Sequence, residues 1–183
     1  MVKWIVTAIL ALIILVISRR SLLKPRSHGF WRFFAWELIL VLIALNIQAW
    51  FIDALSWHQV IAWILLAACL LPLIFGIRTL INRGKPEKSR EGEPQLLAFE
   101  KTTSLVTTGI YRYIRHPLYS SLLLLAWGTF FKLPSISAGV LALTASLCLY
   151  LTARADEAEC IQFFGDRYCE YMKKTKRFIP YIF

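Results

Sequence analysis

Five long apolar runs constrain the fold of this chain more than any other feature of its sequence. They cover residues of about 4–18, 34–51, 60–79, 118–131 and 135–151. A helix that crosses a bilayer needs about 20 mostly apolar residues. Only 17% of the 183 residues are charged, whereas soluble domains contain about 25%. We therefore predict an all-α integral membrane protein with about five transmembrane helices, built as a single domain over residues 1–183.

The distribution of basic residues along the chain predicts the topology. Of the 21 Lys and Arg residues, five lie between the first and second runs, eight between the end of the third run, at Arg78, and the fourth, and six after the fifth, so only Lys3 and Lys132 lie elsewhere. By the positive-inside rule the N-terminus is predicted outside, and the loop 83–116 and the tail 152–183 are predicted to be cytoplasmic. The membrane would be the inner membrane in a bacterium or the endoplasmic reticulum in a eukaryote. Topology and attraction to membrane lipids explain the basic excess, so nucleic-acid binding is not predicted.

The ends and connections of the runs lead to three further predictions. The charges of the first run follow its apolar stretch and no small-residue cleavage site appears, which favours an uncleaved anchor. The hydrophilic segment 83–100 is either a surface loop or a lid over a site. His28, His58 and His116 fall in three different segments and the four cysteines form no Cys-x-x-Cys pair, so neither a metal site nor a disulfide is predicted.

A dense polar cluster, residues 111–119, precedes the fourth run. Pro117 suits the first position of a helix, where its missing N–H group is not needed. The free N–H groups that follow, with the positive end of the helix dipole, favour an anion beside Arg115 and His116. The cluster therefore predicts an anion-binding helix start at the membrane surface. The simpler alternative is an interfacial anchor among lipid headgroups.

The tail is predicted to form an amphipathic helix over about 153–174 that continues the fifth run. Residues 157, 161, 164, 168 and 171 share one stripe at helical spacing. Glu157 is the acidic residue of that stripe, whereas Glu159 falls on a face that is predicted to be solvated. Arg154 lies close enough along the helix to pair with Glu157. Glu157 is then either half of a surface salt bridge or a carboxylate directed into a cavity, and we favour the cavity.

The order and spacing of these motifs resembles the isoprenylcysteine carboxyl methyltransferase and phospholipid methyltransferase superfamily over about residues 70–183. The resemblance is carried by Thr108-Gly109-Ile110-Tyr111, by Arg115-His116-Pro117-Leu118-Tyr119, by Asp156-Glu157 and by the segments 164–171 and 177–180. It implies a cytoplasm-facing pocket for S-adenosylmethionine and a lipidic acceptor that enters from the bilayer. The acceptor could be an isoprenylcysteine carboxylate, a phospholipid amine or a thiol.

The resemblance also implies roles for particular residues. The implied cofactor-binding residues are Gly109, Tyr111, His116, Pro117, Tyr119, Asp156 and Glu157. The implied catalytic residues are Arg115, His116 and Glu157, of which His116 or Glu157 would take a proton from an amine or thiol acceptor. Arg154 is the candidate for binding the acceptor. In the isoprenylcysteine branch an arginine lies four residues before the first acid, whereas Thr152 occupies that position here.

Two other functions are compatible with parts of the pattern. Membrane sterol-type reductases, which use NADPH, also carry an Arg-His-Pro-x-Tyr element, usually with Asn at x. Leu118 and the preceding Thr-Gly-x-Tyr sequence argue against that class. The second alternative is a non-catalytic membrane scaffold or binding protein, in which the polar cluster would only be interfacial.

Overall fold

The computed structural model describes residues 1–84 and 102–182, and the described chain is mostly helical. Residues 85–101, which hold most of the segment predicted as a surface loop or lid, lie outside the described residues. Within the described ranges the α-helices are α1 (Val2–Leu22), α2 (His28–Asn46), α3 (Trp57–Arg83), α4 (Pro117–Lys132), α5 (Ile136–Phe164) and α6 (Asp166–Lys174). The predicted all-α architecture is confirmed.

Among the described residues, four segments are long and apolar enough to cross a membrane. They are Val2–Leu22, His28–Ala49, Trp57–Arg83 and Ile136–Phe164. The fourth apolar run forms α4, which has only 16 residues. At about 1.5 Å per residue such a helix is about 24 Å long, shorter than the ~30 Å hydrocarbon core. The count of five spans therefore stays a prediction.

Helices α3 and α4 pack closely at two glycines, one on each helix. A Cβ atom on Gly76 would lie 3.2 Å from the ring of Pro117, and one on Gly128 would lie 2.9 Å from Leu66. The contacts run in opposite directions along the two helices, so α3 and α4 are antiparallel. Because small residues let helix backbones approach in a membrane, this packing fixes the start of α4 against the second half of α3.

The far end of α4 carries a buried cation. The Lys132 side chain is fully buried, donates hydrogen bonds to the Gln59 side chain (2.9 Å) and the Trp50 carbonyl (3.3 Å), and lies over the Trp63 ring. The Gln59 amide in turn donates to the Lys132 carbonyl (2.9 Å). These bonds attach the end of α4 to the beginning of α3.

The single amphipathic helix predicted over 153–174 is wrong, because the chain breaks at Gly165. Gly165 has φ +61°, and α5 ends just before it while α6 begins just after it. This left-handed conformation suits glycine and ends helices readily. Glu157, Tyr168 and Tyr171 are buried as the stripe predicts, but Ile161, on the same helix as Glu157, is 37% exposed.

Candidate active site

A cleft lies where the start of α4 meets the end of α5, the start of α2 and α6. It contains about 800 Å³ of empty space, including the part that opens to solvent. Leu80, Leu105, Val106 and Phe164 supply apolar walls. The polar or aromatic lining comes from His28, Tyr111, Arg115, His116, Tyr119, Asp156, Glu159, Tyr168 and Tyr171.

The C-terminal segment is hydrogen-bonded along the chain that leads into α4. The Arg115 N–H donates to the Lys176 carbonyl (2.8 Å), the His116 N–H donates to the Arg177 carbonyl (3.1 Å), and the Lys176 N–H donates to the Tyr113 carbonyl (3.1 Å). Together these bonds form a short parallel bridge. The end of the chain is therefore part of the cleft's framework.

Glu157 is the centre of a buried charge cluster. Its carboxylate accepts hydrogen bonds from Arg115 Nε (2.8 Å) and from Arg177 Nη2 (2.6 Å) and Nε (3.1 Å), and it lies 3.3 Å from His116 Nε2. Glu157 is 4% exposed and is not among the residues that line the cleft. The alternative pairing of Glu157 with Arg154 does not form, because Arg154 is exposed and Arg177 takes its place. The 177–180 motif was the only sequence signal for Arg177.

His116 lies between two carboxylates. Its Nδ1 is 3.4 Å from Asp156 Oδ2, and its Nε2 faces Glu157. Burial by itself lowers the pKa of His116, but the bonds to Asp156 and Glu157 outweigh it, so the pKa is raised above the ordinary 6.5. The ring also stacks on Tyr119 at a centroid distance of 5.3 Å, and the Tyr119 hydroxyl donates to Asp156 (3.2 Å). Both ring nitrogens of His116 are therefore engaged by carboxylates, and neither is left to take a proton from an acceptor.

The start of α4 has the predicted geometry. Pro117 is the first residue of the helix, no side chain caps the preceding turn, and the opening residues line the cleft. The Tyr171 hydroxyl donates to the Tyr111 carbonyl (2.6 Å) beside it. Burial raises the pKa of both Tyr168 and Tyr171, so both hydroxyls stay protonated and can donate.

The backbone conformation and the close packing at residue 109 require a glycine there. Its φ is +62°, and a Cβ atom there would lie 3.0 Å from Thr79 Oγ1 on α3. Gly109 is not among the residues that line the cleft. Of the residues implied to bind cofactor, the structure brings Tyr111, His116, Pro117, Tyr119 and Asp156 to the cleft, and it places Gly109 and Glu157 behind that lining.

A second ion pair in the cleft was missed from the sequence. Glu159 accepts from the His28 backbone N–H (2.9 Å) and lies 2.7 Å from His28 Nδ1. Both residues line the cleft, and His28 is 1% exposed. The prediction that Glu159 is simply solvated is wrong. The two residues are 131 positions apart, so helical periodicity could not show that the start of α2 packs on this face of α5.

Metal ligands do not assemble in the described structure. Within residues 1–84 and 102–182, no group of three or more His, Cys, Asp or Glu side chains is placed to hold a metal ion. The four cysteines, all in this part of the chain, are free thiols.

Comparisons with known proteins agree with the motif pattern. The family model described as phospholipid methyltransferase matches residues 94–167. The methanethiol S-methyltransferase of Pseudomonas deceptionensis is 26% identical over 58% of this chain and 36% of its own length. The protein-S-isoprenylcysteine O-methyltransferase of Schizosaccharomyces pombe is 39% identical over 43% of this chain and 34% of its own. The enzyme of the same name from Rattus norvegicus is 30% identical over 72% and 47%.

These matches cover only part of each relative. The chain spans between 34% and 47% of the length of the three relatives described. No solved structure matches it. The matched segment nonetheless contains the start of α4 and the Asp156-Glu157 pair, the two elements that meet at the cleft. These matches support the isoprenylcysteine carboxyl methyltransferase and phospholipid methyltransferase superfamily.

Proposed function

We propose that this protein is an S-adenosylmethionine-dependent methyltransferase that acts on a lipidic or membrane-embedded acceptor. The observation that carries the proposal is the cleft, where the Arg-His-Pro-x-Tyr motif and Asp156 meet beside aromatic and apolar walls. Relatives whose names describe methyl transfer to an isoprenylcysteine or to methanethiol support the reaction class. The apolar helices support an acceptor that reaches the cleft from the membrane.

The chemistry of the cleft fits the cofactor. S-adenosylmethionine would supply a methyl group on a cationic sulfur. The Asp156 carboxylate can accept hydrogen bonds from the cofactor's ammonium group or ribose hydroxyls. The free N–H groups at the start of α4 can bind its carboxylate. Tyr111 and Tyr168 present aromatic rings, which favour cations at their faces.

Glu157 and Arg115 act differently from what the motif alone implies. Glu157 is buried and bonded to Arg115, Arg177 and His116 rather than facing the cleft, and Arg115, which lines the cleft, is engaged by Glu157. We therefore assign them a positioning role, in which the Glu157 carboxylate holds His116 in place and attaches the C-terminal segment. The acceptor-binding role of Arg154 stays a prediction from its position in the sequence.

We further infer five spans, with the N-terminus outside and the cleft at the cytoplasmic surface. Helix α4 runs along α3 from Gly76 to Gln59, whose amide is bonded to Lys132. The short helix thus reaches from the cleft to the first turn of α3, which supports a full crossing. The basic residues that flank the cleft support the cytoplasmic orientation through the positive-inside rule.

Calorimetric titration with S-adenosylhomocysteine tests the cofactor assignment. Asp156→Asn removes a charge that lines the cleft, so its affinity should fall by the roughly 1.5–3 kcal/mol of a hydrogen bond to a charged group, about 10- to 150-fold. His58→Asn, at the opposite end of the bundle, is the control and should bind normally. Labelled S-adenosylmethionine with total membrane lipid and thiol acceptors then tests transfer. Saturable NADPH binding without S-adenosylhomocysteine binding would instead support the reductase class.

A further inference from the structure

The pair formed by His28 and Glu159 lines the cleft but lies outside the family motifs. Glu159 holds His28 at two points, the backbone N–H and ring Nδ1. This double contact fixes both the position of the first turn of α2 and the orientation of the imidazole. The ring is almost fully buried, yet it lines the cleft.

The contact with Glu159 determines which ring nitrogen is left for chemistry. A neutral imidazole whose Nδ1–H donates to a carboxylate carries its lone pair on Nε2. Nε2 of His28 makes no hydrogen bond to any residue in 1–84 or 102–182. A carboxylate that orients an imidazole in this way also stabilises the imidazolium that forms when Nε2 takes a proton.

The other candidate bases of the cleft are already engaged. Both nitrogens of His116 face carboxylates. Glu157 accepts from two arginines and is not among the residues that line the cleft. Asp156 accepts from Tyr119 and lies beside His116. Among the described residues, His28 is therefore the imidazole of the cleft with a nitrogen left to receive a proton.

We propose that His28, oriented by Glu159, is the general base that removes the proton of a thiol acceptor. This inference rests on the methyltransferase function proposed above and specifies the acceptor class. His28 Nε2 takes the proton of the S–H group, and the resulting thiolate forms the new bond to the methyl carbon. The electron pair of the broken methyl–sulfur bond stays on the cofactor's sulfur, which becomes neutral. The products are a thioether, S-adenosylhomocysteine and an imidazolium that returns its proton to solvent.

The acidities of the possible acceptors favour a thiol. A thiol with a pKa of about 8.5 lies roughly two units above an ordinary imidazole, whereas an alkyl ammonium near 10.4 lies about four units above it. Proton transfer by the dyad is therefore much less uphill for the thiol. A carboxylate acceptor is already ionised and would leave the dyad without a role. A carboxylate acceptor would also need a cation to bind it, and Arg115 and Arg177 are both engaged by Glu157.

The competing explanation is that Glu159 only attaches α2 to α5. Glu159→Gln separates the two roles, because glutamine keeps the shape and an oxygen for the His28 N–H. Its NH₂ group would face Nδ1 as a donor and hold the ring with the proton on Nε2. The base is then lost while the helix contact is kept. His28→Asn removes the imidazole altogether, and His58→Asn is the matched control.

Two thiols of similar size and different acidity give the kinetic test. Benzyl mercaptan is largely protonated at neutral pH, whereas 4-nitrothiophenol is already a thiolate. General-base catalysis contributes about 10²–10⁴-fold, so both cleft variants should lose about that factor in kcat/KM with benzyl mercaptan. With 4-nitrothiophenol they should stay within a few-fold of wild type. Equal losses on the two thiols would overturn the proposal in favour of the purely structural role.

A spectroscopic measurement tests the orientation of the imidazole without turnover. In the complex of wild-type protein with S-adenosylhomocysteine, at a pH where the ring is neutral, the ring ¹⁵N shifts of His28 should report the proton on Nδ1, which faces Glu159. Glu159→Gln should bind S-adenosylhomocysteine with near wild-type affinity but report the proton on Nε2. The same tautomer in both proteins would overturn the proposal.

The results of these experiments distinguish a failure of this inference from a failure of the proposed function. If wild type binds S-adenosylhomocysteine and methylates only an amine or a carboxylate, the thiol assignment is wrong and the methyltransferase function stands. If wild type neither binds S-adenosylhomocysteine nor transfers methyl to any acceptor, the proposed function itself fails.

Discussion

Replacing Glu157 with glutamine should release the C-terminal segment from the start of α4. The substitution keeps the shape of the side chain but removes the charge that holds Arg115, Arg177 and His116 together. Glutamine also presents an NH₂ group where Glu157 Oε2 now accepts from Arg177 Nη2 at 2.6 Å. Two donors would then face each other at hydrogen-bond distance.

The size of the effect follows from the burial of the cluster. Removing one partner of a buried ion pair costs about 3–5 kcal/mol. The glutamine oxygen keeps some of the hydrogen bonds, and Asp156 still faces His116, so we expect the lower end, about 3 kcal/mol. At about 1.4 kcal/mol per factor of ten, local opening of the segment should become about 10²-fold more frequent.

Amide hydrogen exchange reports this opening directly. The amides of Arg115, His116 and Lys176 bond across the bridge and should lose about two decades of protection in Glu157→Gln. Glu170→Gln, which removes the same charge from an exposed position on α6, should leave them unchanged. Normal protection in Glu157→Gln together with a loss of S-adenosylhomocysteine affinity would refute the reasoning. Such a result would mean that Glu157 contacts the cofactor directly.

Three further predictions follow from the fold and the cleft. The folded-state pKa of His116 is raised above 6.5, so protonation of the ring stabilises the folded protein fully below pH 6.5, and this stabilisation is lost as the pH rises through the raised pKa. The difference in thermal stability between wild type and His116→Ala should therefore shrink as the pH rises. Gly109→Ala should destabilise by about 1–2 kcal/mol because of its positive φ, whereas Gly139→Ala, with an ordinary contact at 3.6 Å, should be mild in the same thermal melt. In a background without native cysteines, a thiol at Ser56 should react with an impermeant reagent from outside and one at Lys173 should not; the reverse pattern would contradict the five-span topology.

Some motif residues line the cleft and others face the C-terminal segment, and the geometry of α5 explains the difference. Asp156 and Glu157 are neighbours on α5, and consecutive helical residues point in directions about 100° apart. Asp156 therefore lines the cleft, while Glu157 faces the C-terminal segment. The sequence predicted a carboxylate directed inward at this level of the helix. It could not tell which of the two acids would face the ligand, because that depends on the rotation of α5 against α4.

Local properties of the sequence determined the class of protein and the outline of the site. The apolar runs predicted a helical membrane protein because partitioning into a bilayer depends on the composition of each segment. Pro117 predicted a helix start because its fixed φ and missing N–H act within one turn. The spacing of the motifs indicated the superfamily, and the comparisons confirmed it.

Only the tertiary structure decided which charges meet. Glu157 pairs with Arg177, 20 residues away, rather than with Arg154 on its own helix. Glu159 pairs with His28, 131 residues away. The left-handed turn at Gly165 separates α6 from α5 and breaks the stripe that periodicity predicts. These outcomes depend on how helices rotate and pack against one another, and burial makes unpaired charges so costly that the packing, rather than proximity in sequence, selects each partner.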